Sequence, residues 1–126
     1  MTPLYVASPF SSPDADTEAY RATEVQHFCA WLRKHTDYAP FSPIAHWDMI
    51  AIAHDLPTDA ESWWEYNQAW LRRASELCVL CIEGWDTSIG VRMEIEFAKH
   101  VGIPIIYAEW NGKGYDVTDK IRLSVV

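Results

Sequence analysis

The chain has 126 residues, an apolar fraction of 49%, a formal net charge of −8 and a pI of about 4.9. This length predicts a single domain spanning residues 1–126 with one hydrophobic core, and it is too short for two such cores. The negative charge argues against a nucleic-acid backbone or an anionic membrane as partner, and no apolar run reaches the roughly 18 residues that cross a bilayer.

The first half of the chain predicts a strand, a long helix, a second strand and a short helix. Residues 4–7, LYVA, are apolar and partly β-branched, which is typical of a buried strand. Ser12 is a good N-cap for a helix that runs to about His35. Two prolines within 38–44 predict a short strand or an edge strand, and a short helix follows at 46–53.

The second half alternates helical and strand patterns. Asp59 or Thr58 is a suitable N-cap for the first helix, and Gly102 is a natural residue to follow the last one. The uncharged run from Leu77 to Ile82 is typical of a central strand in a parallel sheet. The predicted elements are helix 60–74, strand 77–82, helix 88–102, strand 103–108, turn 111–114, and a short helix with a last strand within 117–126.

This alternation predicts an α/β fold. We expect one doubly wound sheet of the Rossmann-like or flavodoxin-like kind, mostly parallel, with about five strands and with helices on both faces. The first ten residues carry no basic segment before an apolar one, so we expect no secretory signal and a cytoplasmic location. The odd number of cysteines fits a reducing compartment.

Several familiar chemistries have no support in the sequence. Cys78 and Cys81 have CxxC spacing, but side chains three apart in a strand point to opposite faces, so we interpret both as core residues. The histidines show no HxH, HxxxH or HExxH spacing, which argues against a metal site. No GxGxxG, GxxxxGK[ST] or GxSxG motif is present, so we expect no cofactor, no P-loop and no serine nucleophile.

The stretch 83–96, EGWDTSIGVRMEIE, carries the strongest functional pattern. It follows a predicted strand, turns at Gly84 and restarts as a helix near Ser88. A strand, a polar turn and a helix N-terminus together form the ligand site of open α/β proteins. Glu94 lies about two turns into this helix, where it is the candidate working residue.

Two motifs resemble the nucleoside 2-deoxyribosyltransferases and their relatives, the 2′-deoxynucleoside 5′-phosphate N-glycosidases. YVASPF at 5–10 is similar to the first-strand signature of this superfamily, and SIGVRMEIEFA at 88–98 is similar to its Gly-x-x-x-Glu helix. NQAWLRRASELCVL at 67–80 also resembles the segment that leads into the preceding strand. In length the chain is similar to short bacterial and phage members.

The resemblance implies a role for each matching residue. Glu94 matches the catalytic nucleophile, and Tyr5 matches the hydroxyl that orients it. Ser88 matches a serine that contacts the 5′-phosphate in the monophosphate-cleaving branch, and the turn containing Ser8 and Ser11 shares that role.

The resemblance also implies the kind of ligand and assembly. Gly90 matches a glycine that lets the backbone approach the ligand closely. Ser88 stands where the transferase branch has an acid, which favours monophosphate substrates. A neighbouring subunit often completes the site in such relatives, so a homodimer or a larger homo-oligomer is implied, with a small nucleoside or nucleotide as the ligand.

Asn67 departs from the family pattern. The superfamily commonly has an aspartate at this position, and an asparagine side chain cannot carry a proton at neutral pH. Either another acid protonates the leaving base, with Asp86, Asp48 and His46 as candidates, or turnover is slow or absent.

The chemistry explains why these residue types suit an N-glycosidic bond. Its cleavage passes through an oxocarbenium-like state, which a carboxylate such as Glu94 stabilises or captures. A polar group on the other side, here Asn67 or Asp86, assists the base. Trp85 is the best placed aromatic residue for a base pocket, and stacking on a ring contributes roughly 1–3 kcal/mol by analogy with single-strand binders. Further stacking candidates are Trp47, Trp63 and Trp70.

The sequence therefore predicts a hydrolase or transferase of nucleotide metabolism that cleaves the N-glycosidic bond of a nucleoside or its 5′-monophosphate. Two other functions stay open. One is a non-catalytic nucleotide-binding protein on the same scaffold, which Asn67 favours. The other is an interaction protein that uses an aromatic surface, which the seven tryptophans favour.

Overall fold

The computed structural model describes residues 1–118 and shows alternating strands and helices. Single helices connect successive strands, except that two helices lie between the second and third strands and no helix lies between the last two. The elements are β1 (Thr2–Ala7), α1 (Ala15–His35), β2 (Tyr38–Phe41), α2 (Pro43–His54), α3 (Ala60–Leu71), β3 (Glu76–Leu80), α4 (Ile89–Val101), β4 (Ile105–Trp110) and β5 (Tyr115–Thr118).

The strands form one sheet in the order β2-β1-β3-β4-β5. The first four strands of this order are parallel, and β5 pairs antiparallel with β4. The described chain thus confirms the predicted α/β fold with a mostly parallel sheet of five strands. β2 lies at an edge, as the prolines within 38–44 predict, although only Pro40 falls in the strand itself.

The sheet has a hydrophobic core on each face, because alternate side chains of a strand point to opposite sides. On one face, Leu4 and Val6 of β1 share a core with Phe28 and Leu32 of α1. Tyr5 and Ala7 point to the other face, where they meet the core residues Leu71 of α3 and Val91 and Ala98 of α4. Helices therefore cover both faces, as the sequence predicts.

Side-chain caps fix where the helices begin. Asp14 caps α1 by accepting from the Asp16 amide, so the predicted cap Ser12 is wrong. The Ser12 hydroxyl instead accepts from the amide of Asp14, which holds the turn that precedes the helix. Asp59 caps α3, which is one of the two caps that the sequence predicts.

Several predicted boundaries shift in the structure. β2 ends at Phe41 because Ser42 leaves the strand and caps α2 through the Ala45 amide. α2 therefore begins at Pro43, earlier than the predicted residue 46. β4 continues to Trp110, since β5 pairs with it beyond the turn at 111–114. β5 runs over Tyr115–Thr118, and the rest of the predicted helix and last strand in 117–126 lies outside the described residues.

The three cysteines are free, and the CxxC pair is split between the two cores. Cys78 lies in the core under α1, whereas Cys81 packs against the core under α3 and α4. Among residues 1–118, no helix is both long and apolar enough to cross a membrane.

Gly102 offers a test of how α4 ends. Its φ is 83°, its amide donates to the Ala98 carbonyl, and an added Cβ would meet no atom within 4 Å. We expect Gly102→Ala to lower the free energy of unfolding by about 1 kcal/mol through backbone conformation alone. Gly102→Asn should cost less, because asparagine tolerates this conformation. Urea unfolding measures both, and equal losses would contradict the assignment.

Candidate functional site

A cavity of about 880 Å³ opens at the carboxyl ends of the parallel strands. The chain leaves β1 through α1 toward β2, whereas it leaves β3 through α4 on the opposite face. β1 and β3 are neighbours, so the loops that follow them diverge and leave a crevice between them. The walls come from the loop after β1, the start of α1, all three remaining helices and the loop between α2 and α3.

Glu94 lies in this cavity, and the hydroxyl of Tyr5 holds it. Glu94 is only 7% exposed, although it sits on a helix whose other face is open to solvent. The Tyr5 hydroxyl donates to Glu94 Oε2 at 2.5 Å, joining residues that lie 89 positions apart in sequence. Glu94 lies on the inward face of α4, and Tyr5 points to the same core from β1. The structure thus brings together the two residues that the resemblance pairs.

Burial changes the protonation of both partners. Desolvation raises the pKa of Glu94 to about 8, against the lowering effect of the hydrogen bond from Tyr5. Burial, and then the charge of Glu94, raise the pKa of Tyr5 well above its usual value, so Tyr5 remains a hydrogen-bond donor. A pKa of about 8 keeps Glu94 mostly protonated at neutral pH and lets it ionise within reach of physiological conditions.

The turn before α4 positions this helix over the cavity. Gly84 has a φ of 95°, and Ser88 caps α4 by accepting from the Val91 amide at 3.2 Å. Gly84, Ser88 and Gly90 all line the cavity. A Cβ at Gly90 would lie 3.5 Å from the Ala60 side chain, an ordinary contact with the first turn of α3. Gly90 therefore lies beside α3 as well as in the cavity wall.

Two buried polar atoms in the cavity wall have no hydrogen-bond partner within residues 1–118. One is the hydroxyl of Ser8, which is 5% exposed, and the other is the side-chain oxygen of Asn67. Both residues line the cavity. Because buried polar groups almost always have partners, these two atoms indicate a ligand or water that bonds to them.

The loop after β1 is tied to its surroundings. Ser11 donates through its hydroxyl to the Thr58 carbonyl at 3.2 Å, which joins this loop to the one before α3. Arg21 donates to the carbonyl oxygens of Phe10 and Ser11 at 3.2 and 2.9 Å. The guanidinium group also lies against Gly84, where an added Cβ would collide with it. Arg21 therefore links the turns that follow β1 and β3.

Aromatic side chains form another part of the wall. Trp47 and Trp63 both line the cavity, with ring centroids 5.3 Å apart. Each indole nitrogen is used, since Trp47 donates to the Tyr66 hydroxyl and Trp63 donates to the Pro57 carbonyl. These bonds fix the orientation of the two rings in the cavity wall.

Four other residues that the sequence offers as site candidates lie outside the cavity lining. Trp85 packs its ring against Tyr107, with centroids 5.7 Å apart, because its turn folds back onto the core under α4. Asp86 and His46 are exposed at positions that do not face the cavity. Trp70 stacks on Phe41 and is 47% exposed. Trp85 and Asp86 therefore lie outside the cavity lining, and their roles stay predictions.

Trp64, Glu18 and Arg21 are among the cavity-lining residues that sequence reasoning missed. Trp64 faces the cavity from α3, next to Trp63. Glu18 accepts from the Ser12 amide, and an acidic residue shortly after a helix start is the signal for such a contact. Arg21 carries no local signal, because its role depends on a turn that lies far away in the sequence. Of the three candidate acids for the leaving base, Asp48 alone lines the cavity.

The fold and the site define an α/β domain with a ligand cavity at the switch point between β1 and β3. A family model described as "Domain of unknown function (DUF1937)" matches residues 2–110, so the chain belongs to this family. No curated protein matches the chain. Among residues 1–118, no group of three or more His, Cys, Asp or Glu side chains is arranged to hold a metal ion.

The buried carboxyl group predicts a pH-dependent stability. Glu94 has a folded pKa of about 8, above its value of 4.5 when solvated, so the folded state holds the proton more tightly. Between these pH values the free energy of unfolding should fall by up to about 1.4 kcal/mol per pH unit as pH rises, and it should level off above 8. Urea unfolding from pH 5 to 9 measures this slope.

Two variants make that measurement specific. Glu94→Gln should remove the slope, since glutamine does not titrate. Glu96→Gln is the matched control, because Glu96 is exposed on the same helix and does not line the cavity. It should follow the wild type. Parallel curves for the wild type and Glu94→Gln would show that Glu94 is not buried in its neutral form.

Proposed function

We propose that this protein cleaves the N-glycosidic bond of a nucleoside or nucleoside 5′-monophosphate, with Glu94 as the nucleophile and with water or a second base as the acceptor. The observation that carries the proposal is the Tyr5–Glu94 hydrogen bond inside the cavity. A carboxyl group buried at the ligand edge of the sheet, with a perturbed pKa and a hydroxyl holding one of its oxygens, has the properties of a working catalytic group.

The geometry suits a displacement at the anomeric carbon. Tyr5 occupies Oε2 of Glu94, which leaves Oε1 to attack C1′ of the sugar. As the new C1′–O bond forms, the C1′–N bond breaks and its electron pair goes to the base, which takes up a proton from water. Hydrolysis or transfer then releases the sugar from Glu94 and regenerates the carboxylate.

The cavity has room and walls for the rest of such a substrate. Its volume of about 880 Å³ lies in the range of small-molecule sites. Trp47 and Trp63 offer fixed ring faces to a base, and the unpartnered oxygen of Asn67 offers it an acceptor. The motifs at 5–10 and 88–98 that resemble the deoxyribosyltransferase superfamily contain Tyr5 and Glu94, and these two residues meet in the structure.

A non-catalytic nucleotide-binding protein is the second candidate. It is favoured by the pKa of about 8 for Glu94, because a protonated carboxyl group is a poor nucleophile at neutral pH. Asn67, which replaces the superfamily aspartate, also favours it. Binding without base release would identify this function.

The direct test is release of free base from a panel of nucleosides and nucleoside 5′-monophosphates. We expect the wild type to release base and Glu94→Gln to be slower by about 10²–10³-fold or more. Glu96→Gln keeps the same chemical change on the exposed side of α4 and should retain the wild-type rate. Tight binding with no base release by the wild type would contradict the enzyme.

The pH profile separates a nucleophilic role of Glu94 from an acid role. A nucleophile must be ionised, so kcat/KM should rise with pH up to about 8 and then level off. Tyr5→Phe removes a hydrogen bond that lowers the pKa of Glu94, so this variant should shift the rise to higher pH. A rate that falls as pH rises through 8 would contradict the nucleophilic role.

A further inference from the structure

The charged side chains that line the cavity are mostly acidic. Five acidic side chains from all four helices and the loop before α3 line it, against one cation. The cation is Arg21, and the acidic residues are Glu18, Asp48, Asp59, Glu61 and Glu94. Partial burial, and then the carboxylate of Glu18, raise the pKa of Asp48, which places these two acidic groups near each other.

Two of the side chains that could hold a phosphate already donate within the protein. Ser11 donates its hydroxyl to the Thr58 carbonyl. Arg21 is committed through one of its nitrogens to the carbonyl oxygens of Phe10 and Ser11. Ser8 has a free hydroxyl, but it is buried at the base of the cavity.

The unpartnered oxygen of Asn67 calls for a ligand that donates. The side-chain oxygen of Asn67 accepts hydrogen bonds and cannot donate them, and the acidic side chains accept when ionised. A nucleoside presents sugar hydroxyls and base N–H groups, which are donors. A phosphate dianion presents three acceptor oxygens and about two negative charges. It would therefore meet like charge from the acidic side chains of the cavity.

We propose that the cavity selects an uncharged nucleoside over the corresponding 5′-monophosphate. This inference rests on the proposed function, and it reverses the preference for monophosphates that Ser88 suggests in the sequence. Like-charge repulsion across the cavity rejects the phosphate, while Asn67 and Ser8 receive donors of the nucleoside.

Calorimetry with 2′-deoxyadenosine and its 5′-monophosphate tests this preference. The Glu94→Gln variant prevents turnover and keeps the other four acidic residues of the cavity. At low salt the nucleoside should bind about tenfold or more tightly than the monophosphate, a difference of about 1.4 kcal/mol. The ratio should shrink in high salt, because screening weakens the repulsion. Equal or tighter binding of the monophosphate would overturn the inference.

Charge-neutralising variants locate the source of the selectivity. Asp48→Asn and Glu61→Gln, added to Glu94→Gln, should each improve monophosphate binding about threefold and leave nucleoside binding within about twofold. Glu65→Gln is the matched control on α3, because Glu65 is exposed and lies outside the cavity lining, and it should change neither. An equal response from Glu65→Gln would overturn the inference, since it would show a general effect of net charge.

The outcomes keep the two proposals apart. Nucleoside binding without base release by the wild type overturns the enzyme and supports the charge selectivity. Base release that favours the 5′-monophosphate supports the enzyme and overturns the selectivity. If neither compound binds, both proposals are overturned.

Discussion

A carboxyl group on the inward face of a helix is costly unless a donor meets it, and the Tyr5–Glu94 hydrogen bond satisfies that requirement here. The bond ties the interior strand β1 to α4 across the core that they share. The cost of burying the carboxylate appears as the raised pKa of Glu94, because one hydrogen bond from Tyr5 does not replace the water that burial removes. A protein that needed only stability would place an apolar residue at this position.

The topology explains why this costly pair lies in a cavity. β1 and β3 are neighbours, and their following helices cover opposite faces of the sheet, so no connection fills the space above their carboxyl ends. α2 and α3 run in succession across that space and supply Trp47 and Trp63. The cavity is therefore a consequence of strand order, and its chemistry depends on which side chains the surrounding helices present.

The Tyr5–Glu94 pair does not account for the charge of the cavity wall, where acidic side chains predominate. Nucleoside and nucleotide ligands share a base and a sugar, so the aromatic wall and Glu94 suit both. The proposed selectivity between them rests on the acidic side chains of the lining and on the Ser11 hydroxyl, which donates to the Thr58 carbonyl. Arg21 is the cation among the described side chains that line the cavity. It donates to the carbonyl oxygens of Phe10 and Ser11 and lies against Gly84, so it links two turns of the protein itself.

The sequence by itself determined the elements and much of the site. Hydrophobic runs, prolines and helix caps predicted the α/β sheet with β2 at an edge, and the spacing of Ser88, Gly90 and Glu94 predicted the start and inward face of α4. Only the tertiary structure decided that Trp85 packs on Tyr107, that Asp86 is outside the cavity and that Glu18, Arg21 and Asp48 line it. Local patterns report which face of an element is buried, whereas the partners of a side chain depend on how distant elements pack, and that information is not local.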